Sequence, residues 1–195
     1  MNFPRILKKR KGYIDRIKPF MQKSVVKVLT GQRRVGKSFL LYQLIEEILA
    51  KEPDANIIYV NLEDFTFSSL QTAEDLHSYI ISHSKEKVKN YIFIDEIQDI
   101  PGFEKVIRSL LLNEDNDIYI TGSNAKMLSG ELATYLSGRY IEFKIYSLSY
   151  SEFLEFHGLT ESETSYELYS RYGGLPYLLN LPLEDETVNE YLKSV

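Results

Sequence analysis

One eight-residue run constrains this chain more than any other feature: Gly31-Gln32-Arg33-Arg34-Val35-Gly36-Lys37-Ser38, which fits the spacing G-x-x-x-x-G-K-[ST]. Its surroundings matter as much as its letters. Before it, Val25 to Leu29 is β-branched and apolar and ends in Thr30-Gly31, as a buried strand does. After it, Phe39, Leu40, Leu41, Leu44, Ile45, Ile48 and Leu49 recur at helical spacing and stop short of Pro53. A strand, a glycine-containing turn and a helix in that order turn consecutive backbone N–H groups toward one point, where the helix N-terminus adds its own partial positive charge. The expected product is a phosphate site spanning Gly31 to Phe39. Lys37 reaches β- and γ-phosphates as a point charge, and the Ser38 hydroxyl suits a small, octahedral, hydrated ion such as Mg2+.

A second run fits the first. Tyr91-Ile92-Phe93-Ile94-Asp95-Glu96 is an apolar strand ending in two adjacent carboxylates, at the edge where a parallel sheet meets its ligands. On its own such a run marks only a strand end. Following the phosphate loop it is a Walker B pattern, in which Asp95 holds magnesium directly or through water and Glu96 orients and deprotonates an attacking water. The strand at Asn56 to Leu62, lying between the two motifs, and the Glu directly after Asp point to a water-activating ATPase rather than a small-molecule kinase.

The remaining pattern predicts an α/β domain. An amphipathic stretch carries Tyr13, Ile14 and Ile17; Thr72 with Asp75 makes a capping box ahead of Leu76, Tyr79 and Ile80. Pro101 opens a helix bearing Phe103, Val106, Ile107, Leu110 and Leu111, and Asp117 to Thr121 is a strand closed by Gly122. Leu132 to Leu136 predicts a short helix and Tyr140 to Ile145 a fifth strand. Ser149 and Glu152 cap another helix ending near Gly158, and the chain from Thr160 on is helical with a break at Gly173-Gly174-Leu175-Pro176. Strands alternating with helices imply a mostly parallel sheet covered on both faces. The expected division is a basic helical segment at 1–24, a P-loop core at 25–146 and a helical lid at 147–195.

Three further positions stand between a functional and an ordinary reading. Asn124, or failing it Ser123, follows the fourth strand, where a sensor of the γ-phosphate belongs, although Gly-Ser-Asn is also turn chemistry. Arg139 is either a surface arginine or a finger delivered to a neighbouring subunit's nucleotide in a homo-oligomer. His77, His83 and His157 lack metal-ligand spacing, so no metal beyond nucleotide-bound magnesium is expected. Tyr42, Tyr59, Tyr79, Tyr91 and Tyr119 fall at strand and helix positions and are expected to pack.

The net charge of −5 conceals an asymmetry. About half of all Lys and Arg precede Ser38, where Asp15 is the only acidic residue. This arm (Lys8, Lys9, Arg10, Lys11, Arg16, Lys18, Lys23) either contacts nucleic acid phosphates or is a solvated segment that offsets the acidic body. The lack of cysteine and of a charged leader followed by an apolar stretch points to the cytoplasm. The apolar runs are shorter than the roughly 20 residues that span a bilayer, so no membrane partner is expected.

Taken together, these residues resemble the bacterial and archaeal AAA+-like ATPases, near the signal-transduction NTPases, that carry a C-terminal domain of uncharacterised, possibly nuclease-like, function. The resemblance covers essentially the whole chain. It rests on Gly31 to Ser38 with its doubled arginine, Tyr91 to Gln98, Ile120 to Asn124, Ser137-Gly138-Arg139, and Leu148-Ser149 leading to Glu152-Phe153-Leu154. It implies a P-loop NTPase three-layer sandwich with strand order 5-1-4-3-2 and a small C-terminal helical lid. It also implies ATP rather than GTP, a role switching or driving an attached domain, and a chain that reads as an excised ATPase module lacking that domain. Gly173 to Pro176 resembles the element whose proline lies against adenine, which implies Pro176 as a base contact; helix-breaking punctuation is the other reading. A nucleotide-dependent binding module with negligible turnover remains the alternative function.

Overall fold

The computed structural model describes residues 8–123 and 136–194. They fall into two compact units: residues 8–31 with 37–123 and 136–144, and residues 32–36 with 145–194.

The first unit holds β1 (Val26–Gly31), β2 (Asn56–Asn61), β3 (Asn90–Asp95), β4 (Asn116–Ser123) and β5 (Tyr140–Lys144). They form one sheet in the order β2-β3-β4-β1-β5, and every neighbouring pair is parallel. This is the implied 5-1-4-3-2 order read from the other edge. The helices are α1 (Lys11–Ile17), α2 (Lys37–Leu49), α3 (Ala73–His83) and α4 (Phe103–Leu110).

Period-two alternation divides each strand between two faces. One face is aliphatic: Val26, Val28, Ile58, Val60, Ile92, Ile94, Ile118 and Ile120 pack with Leu76 and Ile80 of α3 and Phe103, Val106, Ile107 and Leu110 of α4. Each such side chain, removed fully from water, contributes about 1.5–3 kcal/mol. The other face alternates differently, carrying Lys27, Tyr91, Phe93, Asp95, Asp117, Tyr119 and Thr121, all buried. Helix α2 packs there on β1 and β4 and buries Leu40, Leu41, Leu44, Ile45 and Ile48. Phe93 and Tyr119, opposite each other in register, stack with ring centres 4.5 Å apart.

Strand ends differ from the sequence expectation by a residue or two, and two of the differing boundaries have a visible cause. The helix after Pro101 begins only at Phe103, because Ile100 is extended, as a residue before proline tends to be, and Gly102 turns left-handed at φ 77°. Strand β4 does not stop at Gly122: Thr30 pairs with Gly122 and Gly31 with Ser123, so β1 carries the ladder past the glycine. The expected helix at Leu132 to Leu136 lies almost wholly outside the described residues.

In the second unit α5 (Tyr150–His157), α6 (Glu163–Tyr172), a 3-10 turn at Pro176–Asn180 and α7 (Asp185–Lys193) pack around Leu148, Phe153 and Phe156, and around Tyr172, Leu178 and Val188. The capping box of Ser149 with Glu152 forms, as does that of Thr72 with Asp75 in the first unit. The paired glycines have separate causes. Gly173 ends α6 at φ 74°, and Gly174 accepts the Leu148 N–H at 2.7 Å. A Cβ at 174 would lie 2.2 Å from the Leu148 carbonyl oxygen, so only glycine permits that approach.

Candidate active site

Strand β1 ends at Gly31, and α2 starts at Lys37. The intervening turn needs left-handed backbone at Arg34 (φ 68°) and Gly36 (φ 93°). Helices α3 to α7 each have an acidic residue in the first turn, whereas α2 has none. Its N-terminal amides therefore keep their full attraction for an anion. Lys37 is buried; its Nζ donates to the Gly31 carbonyl at 3.2 Å and lies 3.5 Å from Glu96 Oε1.

Asp95 ends β3 with 1% of its surface exposed. Its carboxylate accepts a short hydrogen bond from the Thr121 hydroxyl, one from Tyr59 at 3.3 Å, and one from the Ser38 hydroxyl. Burial pushes the Asp95 carboxyl above the ordinary carboxylate range, the Glu96 charge adds to that, and the Ser38, Thr121 and Tyr59 bonds oppose it. Two oxygen donors, one anionic and hard to keep charged without a cation, fit magnesium.

Glu96 sits in the left-handed region at φ 56°, ψ 47°, a conformation that costs a non-glycine residue about 1–2 kcal/mol. Three contacts hold it. Its N–H donates to Thr121 Oγ1 at 2.9 Å, Gln98 Nε2 donates to its Oε2 at 2.7 Å, and Lys37 faces its other oxygen. Gln22, Arg34 and Lys87 also adopt positive φ, and Glu96 differs from them in lying beside a buried lysine and a buried aspartate.

Lys37, Ser38, Asp95 and Glu96 are thus brought together, as their motifs imply. Arg139 is not with them. It precedes β5, and its carbonyl accepts the Val26 N–H at 2.9 Å at the start of β1. The length of a strand, about 17–20 Å, therefore separates it from the edge where Gly31 and Asp95 lie. Its side chain is exposed. Asn124 lies outside the described residues. Of the loop residues grouped with the second unit, Gln32, Arg33 and Arg34 are exposed and Val35 is buried; Pro176 packs 3.7 Å from where a Gly36 Cβ would be, and Arg34 lies over the Tyr191 ring at 5.5 Å. Phe39 is half exposed, edge-on to Tyr42.

Sequence reasoning missed Thr121, Tyr59 and Gln98. Strand parity was the available signal for the first two, since both alternate onto the face that carries Asp95. The basic arm is partly neutralised: Lys9 and Lys18 pair with Glu47 at 3.2 and 3.1 Å, and Arg10 is buried against Tyr13. No described helix is long and apolar enough to cross a membrane.

The model of the AAA domain family matches residues 23–154. An uncharacterised protein of Haemophilus influenzae is 39% identical over 196 residues, a match covering 95% of this chain and 47% of that protein. One of Methanocaldococcus jannaschii is 31% identical over 185 residues, covering 87% and 40%. The chain thus spans about half, or less, of the length of these curated relatives. Among solved structures, Aeropyrum pernix ORC1 in complex with DNA aligns at TM-score 0.54 and 14% identity over 84% of this chain and half of that one. Caenorhabditis elegans PCH-2 aligns at 0.51 and 16% over 80% and 42%, and Saccharomyces cerevisiae RIF2 at 0.53 and 13% over 85% and 71%. At such identities the likeness is one of fold, and it agrees with the parallel five-stranded sheet. The chain belongs to the AAA domain family, built on a P-loop nucleotide-binding fold.

Proposed function

We propose that this domain binds Mg-ATP and hydrolyses it, and that turnover switches or drives an attached domain or partner. The observation that carries the reading is the meeting of Lys37, Ser38, Asp95 and Glu96 at one edge of the sheet, with Glu96 held in a strained backbone conformation. The amides of residues 32–38 hold the phosphates, with Lys37 on the β- and γ-oxygens. Ser38 and Asp95 hold magnesium, which supplies charge neutralisation on those oxygens. Glu96 accepts the proton of the attacking water, Asn124 senses the γ-phosphate, and Pro176, which packs on Gly36, lies against the base. Arg139, exposed at the far end of β5, acts only on a neighbouring subunit's nucleotide.

The experiment is phosphate release from Mg-ATP, with equilibrium nucleotide binding on the same samples, for the parent and for Glu96→Gln. The expected result is binding by both and release by the parent alone, with a loss of about 10²–10⁴-fold in the variant. Equal rates in the two proteins would sink the hydrolase reading. Binding by both with turnover by neither would favour a nucleotide-dependent binding module.

A further inference from the structure

Between β3 and β4 the parallel register runs from Asn90 opposite Asn116 to Ile94 opposite Ile120. Just beyond it, at the two carboxylates, a side chain makes the connection. The hydroxyl of Thr121 accepts the Glu96 N–H at 2.9 Å and donates its proton to Asp95. A hydroxyl has one proton to give, so both halves of this contact depend on the same oxygen. Thr121 is itself buried, and no water competes for that oxygen from bulk solvent.

We propose that Thr121 is a positioning residue for hydrolysis: its single hydroxyl fixes the Asp95 carboxylate and the left-handed Glu96 backbone relative to each other, so that the metal-holding and water-activating groups stay in register. The proposal rests on the hydrolase reading above for its kinetic consequence but not for its structural one. Without the hydroxyl the Glu96 N–H is buried and unsatisfied, and the turn loses the backbone contact among the three that hold Glu96. Serine preserves the hydroxyl, whereas valine preserves the shape and β-branching of threonine and replaces the hydroxyl with a methyl.

The test compares the parent with Thr121→Val and Thr121→Ser in three measurements: hydrogen exchange of the Glu96 amide in nucleotide-free protein, ATP affinity without magnesium, and kcat for Mg-ATP. The valine variant is expected to speed Glu96 exchange about tenfold. It should also lower kcat about 10²-fold by displacing the base, while magnesium-free ATP affinity stays within about threefold. The serine variant should recover slow exchange and most of kcat. Parent-like exchange and kcat in the valine variant would overturn the proposal. So would equal damage in both variants, or a loss of magnesium-free ATP affinity matching the loss of kcat, since either reports general disruption. If the parent itself does not turn over, the hydrolase reading fails, and Glu96 exchange alone decides whether Thr121 holds the turn.

Discussion

The two ends of one sheet face make opposite use of buried charge. At the end where the strands begin, Lys27 and Asp117 form a wholly buried ion pair. Lys27 Nζ also donates to the Val25 carbonyl at 2.8 Å and lies 4.5 Å from the centre of the Tyr119 ring. Asp117 accepts the Tyr119 hydroxyl and the Gln22 N–H, both at 2.8 Å, and the Gln22 side chain continues to Tyr91 and Glu52. At the end where the strands finish, Lys37 at the start of α2 and Glu96 on a left-handed turn stand 3.5 Å apart, and burial pushes the Asp95 carboxyl above the ordinary carboxylate range. The first arrangement is closed, with its polar atoms turned on one another. The second is hydrogen-bonded as well, Asp95 accepting from Thr121 and Tyr59 and Glu96 from Gln98, but Lys37 and Glu96 stand where the chain leaves β1 and β3 rather than inside the strands. Buried charge is therefore no guide to a site by itself; the guide is where it stands, within paired strands at one end and on the segments that leave them at the other.

The same chemical change at each end should break this symmetry. Asp117→Asn leaves Lys27 buried without a counter-charge and is expected to cost about 3–5 kcal/mol in urea unfolding. Adding Lys27→Met to that variant removes the stranded charge while the amide still accepts from Tyr119 and Gln22, and most of the loss should return. Glu96→Gln, also a carboxylate-to-amide change, should move stability by less than about 1 kcal/mol while removing most turnover. Equal destabilisation by the two substitutions would show that the Lys37–Glu96 pair is as tightly built into the fold as the Lys27–Asp117 pair.

Much of this contrast was legible because its elements are local. The strand, turn and helix around Gly31 to Ser38, the carboxylates ending β3, and the capping boxes at Thr72 and Ser149 each depend on residues a few positions apart, whose spacing is itself the physics. Thr121 and Tyr59 escaped notice because their roles require a register: the implied strand order set β3 between β4 and β2 but not which of their residues stand beside Asp95. Gly174 was read as punctuation or as part of a base contact, since the backbone it must admit, Leu148, belongs to another segment. The place of Arg139 could have been deduced. A residue just before a parallel strand sits at the edge opposite the phosphate loop, whatever its role. The Lys9 and Lys18 pairs with Glu47 depend on α1 lying beside α2, so the charge asymmetry of the sequence overstated how bare the arm is.

The smallest expected effect sharpens the comparison through pH. Burial, with the Glu52 hydrogen bond adding to it, pushes the Tyr91 phenol from its ordinary 10.0 up to about 12. Burial likewise holds the Lys27 ammonium below its ordinary 10.5, against the attraction of Asp117. The two act with opposite sign. Approaching 10.5 from below, the unfolded chain holds the lysine proton more firmly than the folded one does, so this contribution to stability rises with pH. Between 10 and 12 the unfolded chain has lost the tyrosine proton and the folded one retains it, so the Tyr91 contribution is full below 10 and is lost on the way to 12. Replacing Tyr91 with Phe removes only the second of these. Urea unfolding of the two proteins should therefore show a constant difference below pH 10 and a shift in favour of the variant above it. Curves that stay parallel through pH 12 would mean that the Tyr91 hydroxyl exchanges its bonds with water as freely in the fold as outside it, and that the beginning of the sheet is not a closed polar shell.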